Sequence, residues 1–188
     1  MKKHFPVFAI VALSLVIVFP SCNSNKSISP VQQGQVRIEQ YCSVDKYPTT
    51  KDYFRASATG ESPKMELAKK ISRVNARTEL GTSVRATLQV VTENYSNQDE
   101  VNLTMETMGA FEELARITVD EVLLGSVICC EEVVMTPSGG YMCYSAVELS
   151  GSDAFNKYAE KLSNDERTRL HTNVDNMREL LNSEMSKR

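Results

Sequence analysis

Leu67, Ile71, Val74, Leu80, Val84, Leu88, Val91 and Tyr95 follow one another mostly in three- and four-residue steps. That spacing puts them on one face of a single long amphipathic helix, with Gly81 as its weak point. Ser62-Pro63 supplies the start, a capping hydroxyl followed by a proline whose missing N–H costs nothing there. A helix of this length has to lie on something. Just before it, Tyr53 to Thr59 alternates, is rich in small residues (Ala56, Ser57, Ala58) and stops at Gly60. The pattern predicts a strand whose small side chains let the helix pack close above it.

The rest of the chain fills in around that unit. Val36, Ile38, Gln40 and Cys42 alternate with polar neighbours, and a short strand is expected there. Asn94 to Asp99 breaks the long helix. A second helix follows with Val101, Met105, Met108, Phe111, Leu114 and Ala115 inward, the methionines read as core filler, and ends before Leu124-Gly125. Val127 to Met135 and Tyr141 to Leu149 flank Thr136-Pro137-Ser138-Gly139-Gly140, which reads as a hairpin around a proline and glycine turn. Gly151-Ser152-Asp153 then caps a terminal helical region with Phe155, Tyr158, Ala159 and Leu162 inward. Ser163 and Glu166 have capping-box spacing for a last helix carrying Leu170, Val174, Met177, Leu181 and Met185. The expected fold is α+β: a small antiparallel sheet (one strand, then a hairpin) packed against long amphipathic helices, with a C-terminal helical extension.

The N-terminus carries an address. Met1-Lys2-Lys3-His4 is a positive n-region, Phe5 to Phe19 is an apolar run too short to span a bilayer, and Pro20-Ser21 leads to Cys22. A small residue directly before the cysteine, apolar Val18 and Phe19 upstream and a polar stretch after it identify a bacterial lipoprotein signal. Residues 1–21 are expected to be removed and Cys22 acylated. Residues 22–35 read as a flexible tether and residues 36–188 as one domain. No acidic run follows Cys22, so the expected location is the periplasmic face of the outer membrane.

With these elements placed, the chain resembles the Lpp-twenty family, small bacterial envelope lipoproteins that include flagellar FlgP-like members. The resemblance covers roughly Tyr53 to Met185. It rests on RASATGES–KMELAKKISRVNARTELGTSV, on GSVICCEEVVMTPSGGYMCYSAVEL and on LSNDERTRL–NMRELLNSEM, in that order behind the lipobox. The chain departs from the pattern at Ser145-Ala146-Val147, where bulkier strand residues are usual. The resemblance implies an α/β domain with a small sheet under helices, envelope residence, no enzymatic activity and a tendency to self-assemble.

The side chains that could carry chemistry are few. Losing Lys2 and Lys3 moves the formal charge from −3 to about −5, and so acidic a body argues against nucleic acid as partner. His171 is the only imidazole after the leader, and it sits on a helix with no nucleophile motif near it. Beyond Cys22 the thiols are Cys42, Cys129, Cys130 and Cys143. Cys129 and Cys130 point to opposite faces of a strand, and Cys143 lies too far along the hairpin for either. Buried small hydrophobes are the favoured reading; a link from Cys42 to Cys129 or Cys130 stays open. No spacing suits a metal, and no cofactor is expected. Lys69, Lys70, Arg73 and Arg77 form a basic strip on the long helix and are the candidate contact surface, for anionic headgroups or an acidic partner; a solvated face is the favoured reading. Glu131 and Glu132 are adjacent on a strand, so one must face inward or lie on an open sheet face.

Taken together, these features predict a non-catalytic, membrane-anchored envelope lipoprotein acting by contact with a protein partner or with copies of itself. The alternative is a periplasmic module that captures a small ligand with Tyr141, Tyr144 and an inward acid. A hydrolase is the third hypothesis.

Overall fold

A computed structural model describes residues 39–98 and 103–187. The leader, the tether, Val36 to Ile38 and Val101 lie outside the described residues. The chain forms an α+β domain, with strands β1 (Tyr53–Ser62), β2 (Val127–Met135) and β3 (Tyr141–Ser150), and helices α1 (Met65–Ser96), α2 (Met105–Val122), α3 (Gly151–Asn164) and α4 (Val174–Met185). The sheet order is β1-β3-β2 and both pairings are antiparallel. β3 is central, and its alternate residues Cys143, Ser145, Val147 and Leu149 are all buried.

The hairpin forms where its turn residues demand. Thr136 N–H donates to Gly140 O at 2.9 Å, and Gly139 supplies the left-handed φ of 84° that closes the turn. β1 pairs with β3 along its whole length, Tyr53 opposite Ser150 and Ser62 opposite Tyr141. The strand therefore runs through Gly60 to Ser62 instead of stopping at Gly60. The helix start moves with it: α1 begins at Met65, and the Ser62 hydroxyl accepts from Lys64 N–H at 3.1 Å.

Helix α1 has 32 residues, about 48 Å of axis, whereas a ten-residue strand spans about 33 Å. It outruns the sheet. Its first half lies on the sheet through Ala68, Ser72 and Ala76, and its second half is packed by the other helices through Leu88, Val91 and Tyr95. In the first half the sequence pattern misleads: Leu67 and Val74 are exposed, and the small residues face the strand. The close approach of helix to strand leaves room for nothing larger. Met105, at the free end of α2, is exposed as well, so it is not core filler.

The connection from α3 to α4 also differs from the capping-box expectation. After Asn164 the chain makes successive turns, Leu170 is exposed, and α4 starts only at Val174, where the Asn173 side chain accepts from Asn176 N–H. These turns are held from inside. The buried Thr168 hydroxyl donates to Leu162 O at 2.6 Å, and Tyr95 Oη donates to His171 O at 2.6 Å while accepting from Asn173 N–H. Residues 39–52 make no strand; they turn repeatedly over the sheet face opposite α1, and Cys42 sits in a turn.

Candidate functional site

Three of the four cations of the basic strip serve their own chain. Arg73 forks onto Glu131 of β2, with Nε to Oε2 at 2.6 Å and Nη2 to Oε1 at 2.8 Å. Arg77 Nε donates to Ser126 Oγ at 3.1 Å, and that hydroxyl donates to Leu123 O, fixing the entry to β2. Lys69 reaches Glu66 at 3.4 Å. Lys70 remains exposed. Glu131 opposes Ser145 on the α1 side of the sheet, so it is the inward acid of the pair, while Glu132 is exposed on the other face. An inward charge on an edge strand also discourages strand-to-strand aggregation.

The Arg73 guanidinium holds the Glu131 carboxyl below its ordinary value, against the opposing effect of burial. The pair is partly wet, with side chains 38% and 20% exposed, so its worth after screening is about 1 kcal/mol. Because the folded value is depressed, that contribution is complete above the ordinary 4.5 and fades as pH falls through the folded value. Urea titrations of wild type and Glu131→Gln should differ by about 1 kcal/mol at pH 7, with the gap closing as acid is added below pH 4.5. A gap that does not shrink in acid would mean the loss comes from packing.

A disulfide joins Cys42 to Cys130, with Cα atoms 5.6 Å apart. The sequence favours buried small hydrophobes for the cysteines and leaves this link open; the link exists because β2 bulges. The register steps from Ile128 opposite Val147 to Cys130 opposite Ala146, so Cys129 is the extra residue. This puts Cys130 on the face away from α1, where the 39–52 segment lies. Burial raises the Cys129 thiol. Cys143 is buried on the α1 side, its Sγ 3.7 Å from Ser145 Oγ.

His171 is exposed at the surface. Among the described residues no group of three or more His, Cys, Asp or Glu is placed to hold a metal ion. Clefts of about 370 Å³ between α1 and α2, about 660 Å³ along the free edge of β1 and about 310 Å³ beside the start of α3 are lined without His171, Tyr141, Tyr144, Glu131 or Glu132. Tyr144 instead packs its ring on Tyr41, centroids 5.6 Å apart.

The geometry defines a class: a small α+β domain whose three-stranded sheet carries helices on one face and a disulfide-fixed segment on the other. No family model, no curated protein and no solved structure matches the chain.

Proposed function

We propose that this chain is a bacterial envelope lipoprotein, anchored through acyl chains on Cys22 to the periplasmic face of the outer membrane, and that it works without catalysis, by contact with a protein partner or with copies of itself. The lipobox ending at Cys22 supports the address. A disulfide is what an oxidising compartment outside the cytoplasm favours. The resemblance of its motif order to the Lpp-twenty family points the same way. Among the described residues no helix is long and apolar enough to cross a membrane.

The observation that carries the contact reading is the distribution of exposed apolar side chains. β2 is an edge strand, and Val127 and Met135 on it are 55% and 69% exposed; Val74 on α1 is 53% exposed and Leu124 is 90% exposed. The exposed apolar groups at the two ends of this edge and on the turn that leads into it suit a protein partner.

Complementation of a deletion strain tests it. His171→Ala, Glu132→Ala and Cys143→Ala should restore the phenotype fully. Val127→Asp combined with Met135→Asp should fail to complement while the protein stays folded and abundant. The basic strip is tested by Lys70→Glu alone, since reversing Arg73 would break the pair with Glu131. Loss of complementation by a folded, membrane-bound His171→Ala variant would overturn the contact reading and point to an enzyme.

A further inference from the structure

The face of the sheet away from α1 is closed at its centre. Ser57, Ala146 and Cys130 are cross-strand partners in one row, β1 to β3 to β2. By register all three side chains point away from the helices. Ala146 is nevertheless fully buried, and Ser57 Oγ is buried without a hydrogen-bond partner among the described residues. The chain from Tyr41 to Pro48 lies on this face: Cys42 is bonded to Cys130 at one end of the row, and the tilted rings of Tyr41 and Tyr144 meet beside it.

This segment is held unevenly. Beyond Pro48 it is stitched to β1, with Thr49 Oγ1 donating to Arg55 O and accepting from Arg55 N–H, and Thr50 N–H donating to Tyr53 O. Before Pro48, among the described residues, the backbone bonds stay within the segment, Lys46 and Tyr47 N–H both donating to Ser43 O. Pro48 O accepts from Arg55 Nη1 at 3.2 Å. The disulfide is the covalent attachment of Tyr41 to Tyr47 to the sheet.

Two features oppose closure. Cys42 has φ 48°, a left-handed conformation that a non-glycine residue keeps only where its surroundings impose it. The orphaned Ser57 hydroxyl would regain hydrogen bonds from water on opening.

We propose that Tyr41 to Pro48 is a redox-latched strap, released from the sheet when a dithiol reduces the Cys42–Cys130 bond, and that release uncovers the Ser57–Ala146 row. The dithiol supplies two electrons and two protons. The S–S bond of the protein breaks to give two thiols, and the dithiol leaves as a disulfide. Cys129, adjacent to Cys130, does not take over the link, because a thiol kept protonated by burial attacks disulfides slowly.

The test is ¹⁵N relaxation of the full chain, oxidised and then reduced with dithiothreitol, beside a Cys42→Ser/Cys130→Ser variant without reductant. Order parameters of residues 40–47 should fall from about 0.85 to below about 0.6 on reduction. Amide resonances of β1 and β3 facing α1 should stay in place, the Ala146 methyl should shift, and the double variant should match the reduced wild type. A strap that stays rigid after reduction overturns the proposal, as does loss of the native resonances of the sheet together with the strap. Peptide mapping that finds Cys42 unpaired with Cys130 in the oxidised chain overturns it too. Should the double variant fail to fold, reduction of the already folded wild type decides between these outcomes.

Discussion

Gly60→Val should abolish cooperative folding, and Gly60→Ala should cost about 3 kcal/mol, the upper end for inserting a group into packed space. A Cβ at this position would meet Ser72 N of the α1 backbone, stand 2.5 Å from Ala68 O and 2.9 Å from the Ile71 Cβ. Two of those atoms belong to helix backbone and cannot rotate aside. Lifting α1 would separate Ala68 and Ala76 from the strand they touch and expose Phe54, which is wholly buried. Gly109 in α2 is the contrast. Nothing lies within 4 Å of a Cβ there, so Gly109→Ala should gain about 1 kcal/mol from helix propensity. Urea midpoints of the two alanine variants should move in opposite directions. Equal and small effects would mean that α1 is not seated on β1 as described.

The same contact shows why parts of the fold could be read from the residues and parts could not. The hairpin was legible to within one residue, because β-rich runs flank a turn whose proline and glycines act locally. The face of α1 over the sheet was not. Ala68, Ser72 and Ala76 carry little hydrophobicity, and their importance comes from how near β1 lies, which is a property of two segments together. Arg73 and Glu131 each stood out, one as a member of a basic strip and the other as one of two adjacent acids on a strand, of which one had to face inward or lie on an open sheet face. They are 58 positions apart, and nothing local pairs them. The disulfide depended on a one-residue bulge at Cys129, which leaves no mark in an alternating pattern. At the C-terminus Ser163 and Glu166 had the spacing of a cap, but the buried Thr168 hydroxyl holds Leu162 O and turns the chain before a helix can form there.

The second large effect lies among the helices. Tyr158 is fully buried, its hydroxyl 2.9 Å from Thr92 Oγ1 and donating to Phe111 O at 3.2 Å, so one side chain of α3 touches both α1 and α2. Tyr158→Ala removes the ring and leaves a cavity, at about 4 kcal/mol. Over a domain of this size that lowers the melting temperature by roughly 8–16 °C. Tyr158→Phe should cost only about 1 kcal/mol. Thr92 Oγ1 can turn its proton fully to Leu88 O, and Phe111 O keeps its helix donor. Calorimetry of the two variants separates packing from hydrogen bonding. A phenylalanine variant as unstable as the alanine one would place the stabilisation in the hydroxyl network.

The account as a whole rests on attachment through Cys22, and growth with labelled fatty acid tests it most directly. The wild-type protein should incorporate the label, partition with outer membranes and begin at Cys22 by mass spectrometry of its N-terminal peptide. Cys22→Ala should carry no label and move to the soluble fraction. Continued labelling of Cys22→Ala, or an unmodified N-terminus elsewhere in the wild type, would contradict the lipoprotein reading.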